Sequence, residues 1–372
     1  MQDRRVVSLP GTDGTLASSA VAAGGLIFVS AQGPVGADGK PIESDITAQT
    51  KAAIARLGAV LDAAGSSLAQ AVSVNVFLKQ ASDFEAMNAA YREAFAEKPP
   101  VRTTIAVALP GRASIMISAI AVPNGAARET LHPAGWMKSP RPYSYIVKAA
   151  GFVFLSGLVS RRGTDDQVVP GPASLQTSTI LDNAGVLLKT AGLSYADVVS
   201  SRVFLVDESY FDTMNDEYRR YFTSEPPARA TAVTGLMGPD AVVEISLIAS
   251  EQGKQVVGPA VAPSLPLSTA VRAGDLLFLS GVLGNTDANA GDVAAQATEI
   301  FTRIGRTLES LGLSFSHVVD NLVYLPDIWQ LPKFDARARE MFAREPPART
   351  AVGARLVQRA GLIEMMMTAS GR

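Results

Sequence analysis

Short apolar runs alternate along the chain with longer amphipathic stripes, and together they predict a mixed fold. Residues 26–29 are apolar and bounded by Gly24, Gly25 and Gly33, which suits a buried strand. Over residues 46–64 the positions Ile46, Ala53, Leu57, Val60, Leu61 and Ala64 recur at helical spacing, and Gly65 supplies a left-handed stop. Val72, Val74, Val76 and Leu78 then alternate with other residues as in a strand. Phe84, Met87, Tyr91 and Phe95 stand at spacings of 3, 4 and 4, matched later by Phe211, Met214, Tyr218 and Phe222. This second helix ends at prolines, and its aromatic stripe reads as core packing rather than as a ligand platform. Two more strands are expected over residues 101–108 and 115–122, separated by Leu109-Pro110-Gly111.

The whole pattern repeats three times. Gly65, Gly192 and Gly312 each follow a helical run; a Gln lies 16 residues before each (Gln49, Gln176, Gln296) and an Arg 37 residues after each (Arg102, Arg229, Arg349). Each Arg follows Pro-Pro-x, and the Ser that ends the early apolar run (Ser30, Ser156, Ser280) precedes the Gly by 35, 36 and 32 residues. Length differences therefore fall in a loop, where a surface tolerates them. Three ββαβαββ units follow, with borders expected at 1–126, 127–255 and 256–372. A sheet backed by helices on one face needs cover on the other. Three linked copies can cover one another as an α+β intramolecular pseudo-trimer, with sheets inside and helices outside, and the chain is expected to be a monomer in that form.

Composition narrows the partners. Of 372 residues, 47% are apolar and 18% charged, which is a globular balance. Lys plus Arg is 33 against 35 for Asp plus Glu, so no net cationic field favours nucleic acid. Cysteine is absent, and His132 and His317 are isolated, so neither a thiolate nucleophile nor a metal centre is expected. The apolar stretch 17–31 behind Arg4 and Arg5 superficially resembles a secretory signal, yet similar runs recur at 152–156 and 276–280, which marks it as a strand. No run reaches the ~18 apolar residues of a membrane span, and a cytoplasmic location is expected.

The set Ser156-Gly157, Asn215, Pro227-Ala228-Arg229 and the final strand beginning Val243-Glu244-Ile245 resembles the Rid family of reactive intermediate deaminases, also called YjgF or L-PSP. The similarity spans nearly the whole chain, three times over. It implies chorismate-mutase-like domains with a pocket at each junction between neighbours, and hydrolysis of enamines or imines of amino acids to keto acids and ammonia without a cofactor. It also implies that Arg102, Arg229 or Arg349 grips a substrate carboxylate, and that Glu244 and Glu364, 15 residues after their arginines, move a proton or place water. Repeat 1 carries Met116 at that place. The family's pocket tyrosine corresponds to Tyr143, where the other repeats have Ala17 and Leu267; its helix asparagine corresponds to Asn88 and Asn215, where repeat 3 has Asp335. Repeat 2 is thus the most complete copy, although a pocket built by two neighbours need not inherit that completeness.

The residues make chemical sense on their own terms. Imine hydrolysis needs a carboxylate anchor, a positioned water and a proton carrier. Arg229 with Glu244 and Arg349 with Glu364 supply anchor and carrier, Arg102 adds a third anchor, and Ser30, Ser156, Ser280 and Tyr143 offer oxygens. Backbone amides near Gly157 or Gly281 could meet developing charge. An Arg and a Glu on adjacent strands equally suit a buried ion pair, and serines at strand ends equally suit a capping role. Two other functions remain open: a pathway-specific enzyme acting on a larger enamine, or a non-catalytic module that binds small carboxylates or a protein.

Overall fold

The computed structural model describes residues 4–9, 16–36, 39–262, 264–342 and 344–371. Each repeat begins its helical layer with a long helix, Ile46–Ala63, Ala173–Thr190 or Val293–Ser310. In the first, the Asp45 carboxylate accepts the Ala48 N–H at 2.8 Å, satisfying one of the unpaired donors of the opening turn. Gly65 closes the other end at φ +79°, a conformation that carries a steric penalty for side chains. The constant Gln on this helix ties it to the final strand: Gln49 Oε1 accepts the Ser114 N–H at 2.8 Å, Gln176 that of Val242 at 2.9 Å and Gln296 that of Leu362 at 2.8 Å. The second helices are Phe84–Ala94, Phe211–Tyr218 and Leu331–Met341.

The expected ββαβαββ order holds in each repeat, with an additional leading strand, Arg5–Val7, Arg128–Leu131 or Gln255–Val257, on the sheet edge. In the second sheet the order runs Arg128–Leu131, Ile146–Ala149, Phe152–Leu155, Val243–Ser250, Val198–Leu205, Ala228–Val233. Its seventh strand, Arg355–Leu356, comes from repeat 3, with Leu356 opposite Ala232. Likewise Gly235–Leu236 of repeat 2 completes the first sheet beside Ile105, and Ala108 of repeat 1 bridges Gly353 of repeat 3. Each repeat thus lends backbone to a neighbour, and the contacts close a ring.

The sheets meet on their helix-free faces. Phe28, Phe154 and Phe278, one from each repeat, share an apolar cluster with Leu26, Phe152 and Leu276. A second shared cluster gathers Phe77, Phe204 and Tyr324. The helix-side cores remain separate, one per repeat. Burial on both faces explains why the early strands read as continuous apolar runs instead of alternating ones. Among the described residues no helix is long and apolar enough to cross a membrane.

Candidate functional site

Where two repeats join, the Arg of one meets the Ser-Gly turn of the next. The Arg102 N–H donates to Ser156 Oγ at 3.1 Å, and the Gly157 N–H donates to the Arg102 carbonyl at 3.0 Å. Ser156 Oγ in turn donates to the Ser144 carbonyl at 2.7 Å. Ser280 makes the same latch between Arg229 (2.8 Å) and Ser268 (2.5 Å), and Ser30 between Arg349 (2.8 Å) and Ser18 (2.6 Å). The one hydroxyl hydrogen of each serine is therefore engaged by backbone. Of the two roles the sequence leaves open for these serines, the hydrogen bonds display the capping one: they fix the strand from which the arginine projects.

The arginine and glutamate of one repeat do not share a cleft. Strand Val198–Leu205 lies between those of Arg229 and Glu244, with Ser201 opposite Arg229 and Phe204 opposite Glu244. Two strand spacings of about 4.8 Å and a three-residue offset of about 10 Å keep them apart. The same register separates Arg349 from Glu364. Instead Arg102 shares its cleft with Glu244, Tyr143 and Gly157 of repeat 2, and the field of Glu364 falls on Arg229. The pairings expected within repeats 2 and 3 are thus replaced by pairings across the junctions.

In the first cleft Arg102 is 4% exposed, with its guanidinium carbon 4.9 Å from the Tyr91 ring centroid, 5.7 Å from Phe84 and 5.8 Å from Tyr143. Its Nη2 donates to Asn88 Oδ1 at 2.7 Å, while the buried Nη1 has no hydrogen-bond partner in the protein. Arg229 repeats this in the second cleft, 4.9 Å from Tyr218 and 6.0 Å from Phe211, with Nη2 on Asn215 Oδ1 at 2.7 Å and both Nε and Nη1 unpartnered. A buried guanidinium held from behind with free donors in front is a receptor for a planar anion. Tyr91 and Tyr218 also pack in the helix-side cores, as expected for the aromatic stripe. Their second role, as shelves beneath the guanidinium, is one that helical spacing alone does not announce.

Glu244 and Glu364 face these arginines from buried positions. Burial pushes each carboxyl up to about 8, against the opposing pull of a backbone N–H (Thr104, Thr231) and of Arg102 or Arg229. Each therefore keeps its proton to higher pH than an exposed carboxyl does. A side chain on Gly157 would collide with Glu244 Oε1, and one on Gly281 with Glu364 Oε1, so glycine is what allows the carboxyl to reach the cleft. Burial also raises the Tyr143 hydroxyl from its ordinary value.

The third junction departs at every one of these points. Arg349 Nη1 is 2.6 Å from Asp335 Oδ1, an ion pair where the other clefts have arginine on asparagine. By repeat spacing Ala338 and Leu331 replace the ring residues, Ala31 replaces the glycine and Met116 replaces the glutamate. Arg349 thus carries an ion pair of its own, and the place of the glutamate holds no carboxyl.

Three two-layer α+β units thus share a central apolar core, with an arginine at each seam. A family model described as endoribonuclease L-PSP matches this chain three times, over residues 12–123, 136–251 and 258–370. The chain belongs to that family, and carries it in three tandem copies. It is similar to the 3-aminoacrylate deaminase RutC of Acinetobacter baylyi, 34% identical over 122 residues, 33% of this chain and 97% of that protein. The 2-iminobutanoate/2-iminopropanoate deaminase of Bos taurus is 36% identical over 124 residues, 33% of this chain and 86% of that protein. A crystal structure of a chorismatase superposes with a TM-score of 0.56 over 81% of this chain and 93% of that chain, at 14% identity, a likeness of fold alone.

Proposed function

We propose that the protein is a cofactor-independent deaminase that hydrolyses imines or enamines of amino acids in its first and second clefts, the third being structural. The observation that carries this reading is the pairing of a buried, partly unpartnered guanidinium with a buried, proton-retaining carboxyl, Arg102 with Glu244 and Arg229 with Glu364. Membership of a family whose relatives include named imine and aminoacrylate deaminases supports it.

In this mechanism the substrate carboxylate binds the free face of Arg102 and fixes the C=N group near Glu244. Glu244 protonates the imine nitrogen, and the resulting carboxylate takes a proton from water as it attacks the carbon. The restored acid then protonates the amine of the tetrahedral carbinolamine. As the C–N bond breaks, the hydroxyl proton returns to Glu244, releasing keto acid and ammonia. An enamine enters the same sequence after protonation at carbon. The near-neutral formal charge of −2 weighs against a nucleic-acid substrate.

The test is loss of an imino acid generated in situ by an amino-acid oxidase, compared with its spontaneous hydrolysis. The wild-type chain is expected to accelerate it, and Arg102→Ala with Arg229→Ala to return it to the spontaneous rate. No acceleration with a panel of such imines overturns the reading.

A further inference from the structure

Two further guanidinium groups stand at the first cleft, at positions where repeat 3 carries no arginine. Arg141 and Arg161 line the same cavity as Arg102, Gly157 and Glu244. Both reach a single carboxylate oxygen, Asp166 Oδ2, at 3.2 and 3.1 Å. Asp166 is held for this at φ +55° in a tight hairpin, where Arg161 also donates to its carbonyl at 2.6 Å. The Arg141 guanidinium carbon is 5.9 Å from the Phe84 centroid and that of Arg102 is 5.7 Å from the same ring. The buried anchor and Arg141 thus both lie within 6 Å of one aromatic ring. Three arginines line this cleft, facing the carboxyl of Glu244 and braced by that of Asp166.

Arg141 and Tyr143 also line a neighbouring cavity of about 490 Å³, together with Arg92, Lys98 and Lys138 and, among the described residues, no acid. At the second cleft the positions counted from the latch serine hold Leu265 for Arg141 and Asn285 for Arg161, and Glu225 stands for Lys98. Lys98 and Glu225 share a left-handed backbone, φ 44° and 45°, so the two sites differ here in charge with the backbone kept. Two half-buried guanidinium groups that share a single carboxylate oxygen favour a second anionic group on the ligand.

Resting on the deaminase reading above, we infer that the first cleft selects dianionic substrates, imines of dicarboxylic amino acids. The α-carboxylate binds Arg102 and the side-chain carboxylate binds Arg141 and Arg161. The second cleft, with leucine and asparagine at those places, takes imines of monocarboxylic amino acids. Duplicated sites in one chain have thus diverged in the charge they accept while keeping the same reacting groups.

The test uses the full chain carrying Arg229→Ala, which silences the second cleft. Hydrolysis of the glutamate-derived imine is compared with that of the 2-aminobutanoate-derived imine, and binding of 2-oxoglutarate with that of 2-oxobutanoate by calorimetry. The dianion is expected to be preferred in both, and Arg141→Leu with Arg161→Asn to lower that preference by about tenfold to a hundredfold. Arg141→Lys should retain part of it. A ratio unchanged by the double substitution overturns the inference. If neither imine is hydrolysed faster than spontaneously but 2-oxoglutarate binding still depends on Arg141 and Arg161, deamination fails while dianion selection stands. Should the double variant not fold, exposed Lys98→Glu, a residue both sister repeats carry at that turn, is expected to weaken 2-oxoglutarate alone; equal weakening of both keto acids contradicts the inference.

Discussion

Arg349 and Asp335 close on each other at 2.6 Å, and that contact distinguishes the third junction from the two where arginine rests on asparagine. Asp335 supplies the negative charge that a substrate would otherwise bring. Arg349→Ala is therefore expected to leave imine turnover unchanged and to cost about 1 kcal/mol of stability, the scale of a partly exposed ion pair. Steady-state rates beside a urea titration check both. A loss of half the activity would place a working site at the third junction.

Gly157 and Glu244 are sterically matched, and the junction without an acid carries Ala31 and Met116 at those places. Gly157→Ala should destabilise the fold by about 1–3 kcal/mol, the scale of overpacking, and abolish first-cleft activity. Adding Glu244→Met reproduces the third junction's pair and should recover stability without activity. The measurement is a double-mutant cycle of urea midpoints, with favourable coupling expected. Additive destabilisation would show that the glycine does not serve the carboxyl.

The two glutamates make stability and rate depend on pH in a defined sense. Their folded-state values, about 8, lie above the ordinary 4.5. Their contribution is present in full below about 4.5 and declines as pH rises to about 8, because the unfolded chain ionises first. Relative to Glu244→Gln plus Glu364→Gln, the wild type should lose stability steadily from pH 5 to 8.5. Turnover should fall above pH 8 as the proton donor is lost. Denaturant midpoints and kcat/KM profiles over that range test the two signs, and a parallel pH dependence in the double variant would contradict them.

Ser156 joins Arg102 to Ser144 through one hydroxyl. Ser156→Ala leaves a buried N–H and a carbonyl without that partner and should cost about 1–3 kcal/mol. Because the serine positions Arg102 rather than touching substrate, KM for the first-cleft substrate should rise while the pH profile keeps its shape. A changed pH limb would instead assign the hydroxyl to proton transfer.

Much of this architecture is readable in the chain because its signals are local. The helical stripe from Ile46, the glycine stop at Gly65 and the threefold spacing of Gln49, Gly65 and Arg102 locate the main elements. The leading strand Arg5–Val7 is too short to show a period, and Gly235–Leu236 becomes a strand only by borrowing the neighbouring sheet's edge. The partnership of Arg102 with Glu244 depends on the order in which strands lie side by side, which spacing along one repeat does not encode. Arg141 and Arg161 escaped notice because they lie in loops where the repeats have diverged, so the periodicity that reveals Arg102 is silent about them.

The central claim is that each working site takes its arginine from one repeat and its glutamate from the next, and paired substitutions test it most directly. Arg102→Ala with Glu244→Gln should disable only the first cleft and leave second-cleft turnover intact, and Arg229→Ala with Glu364→Gln should do the reverse. Arg229→Ala with Glu244→Gln strikes both sites and should abolish imine hydrolysis. Retained activity in that last variant, with loss in Arg102→Ala plus Glu244→Gln, would contradict the account.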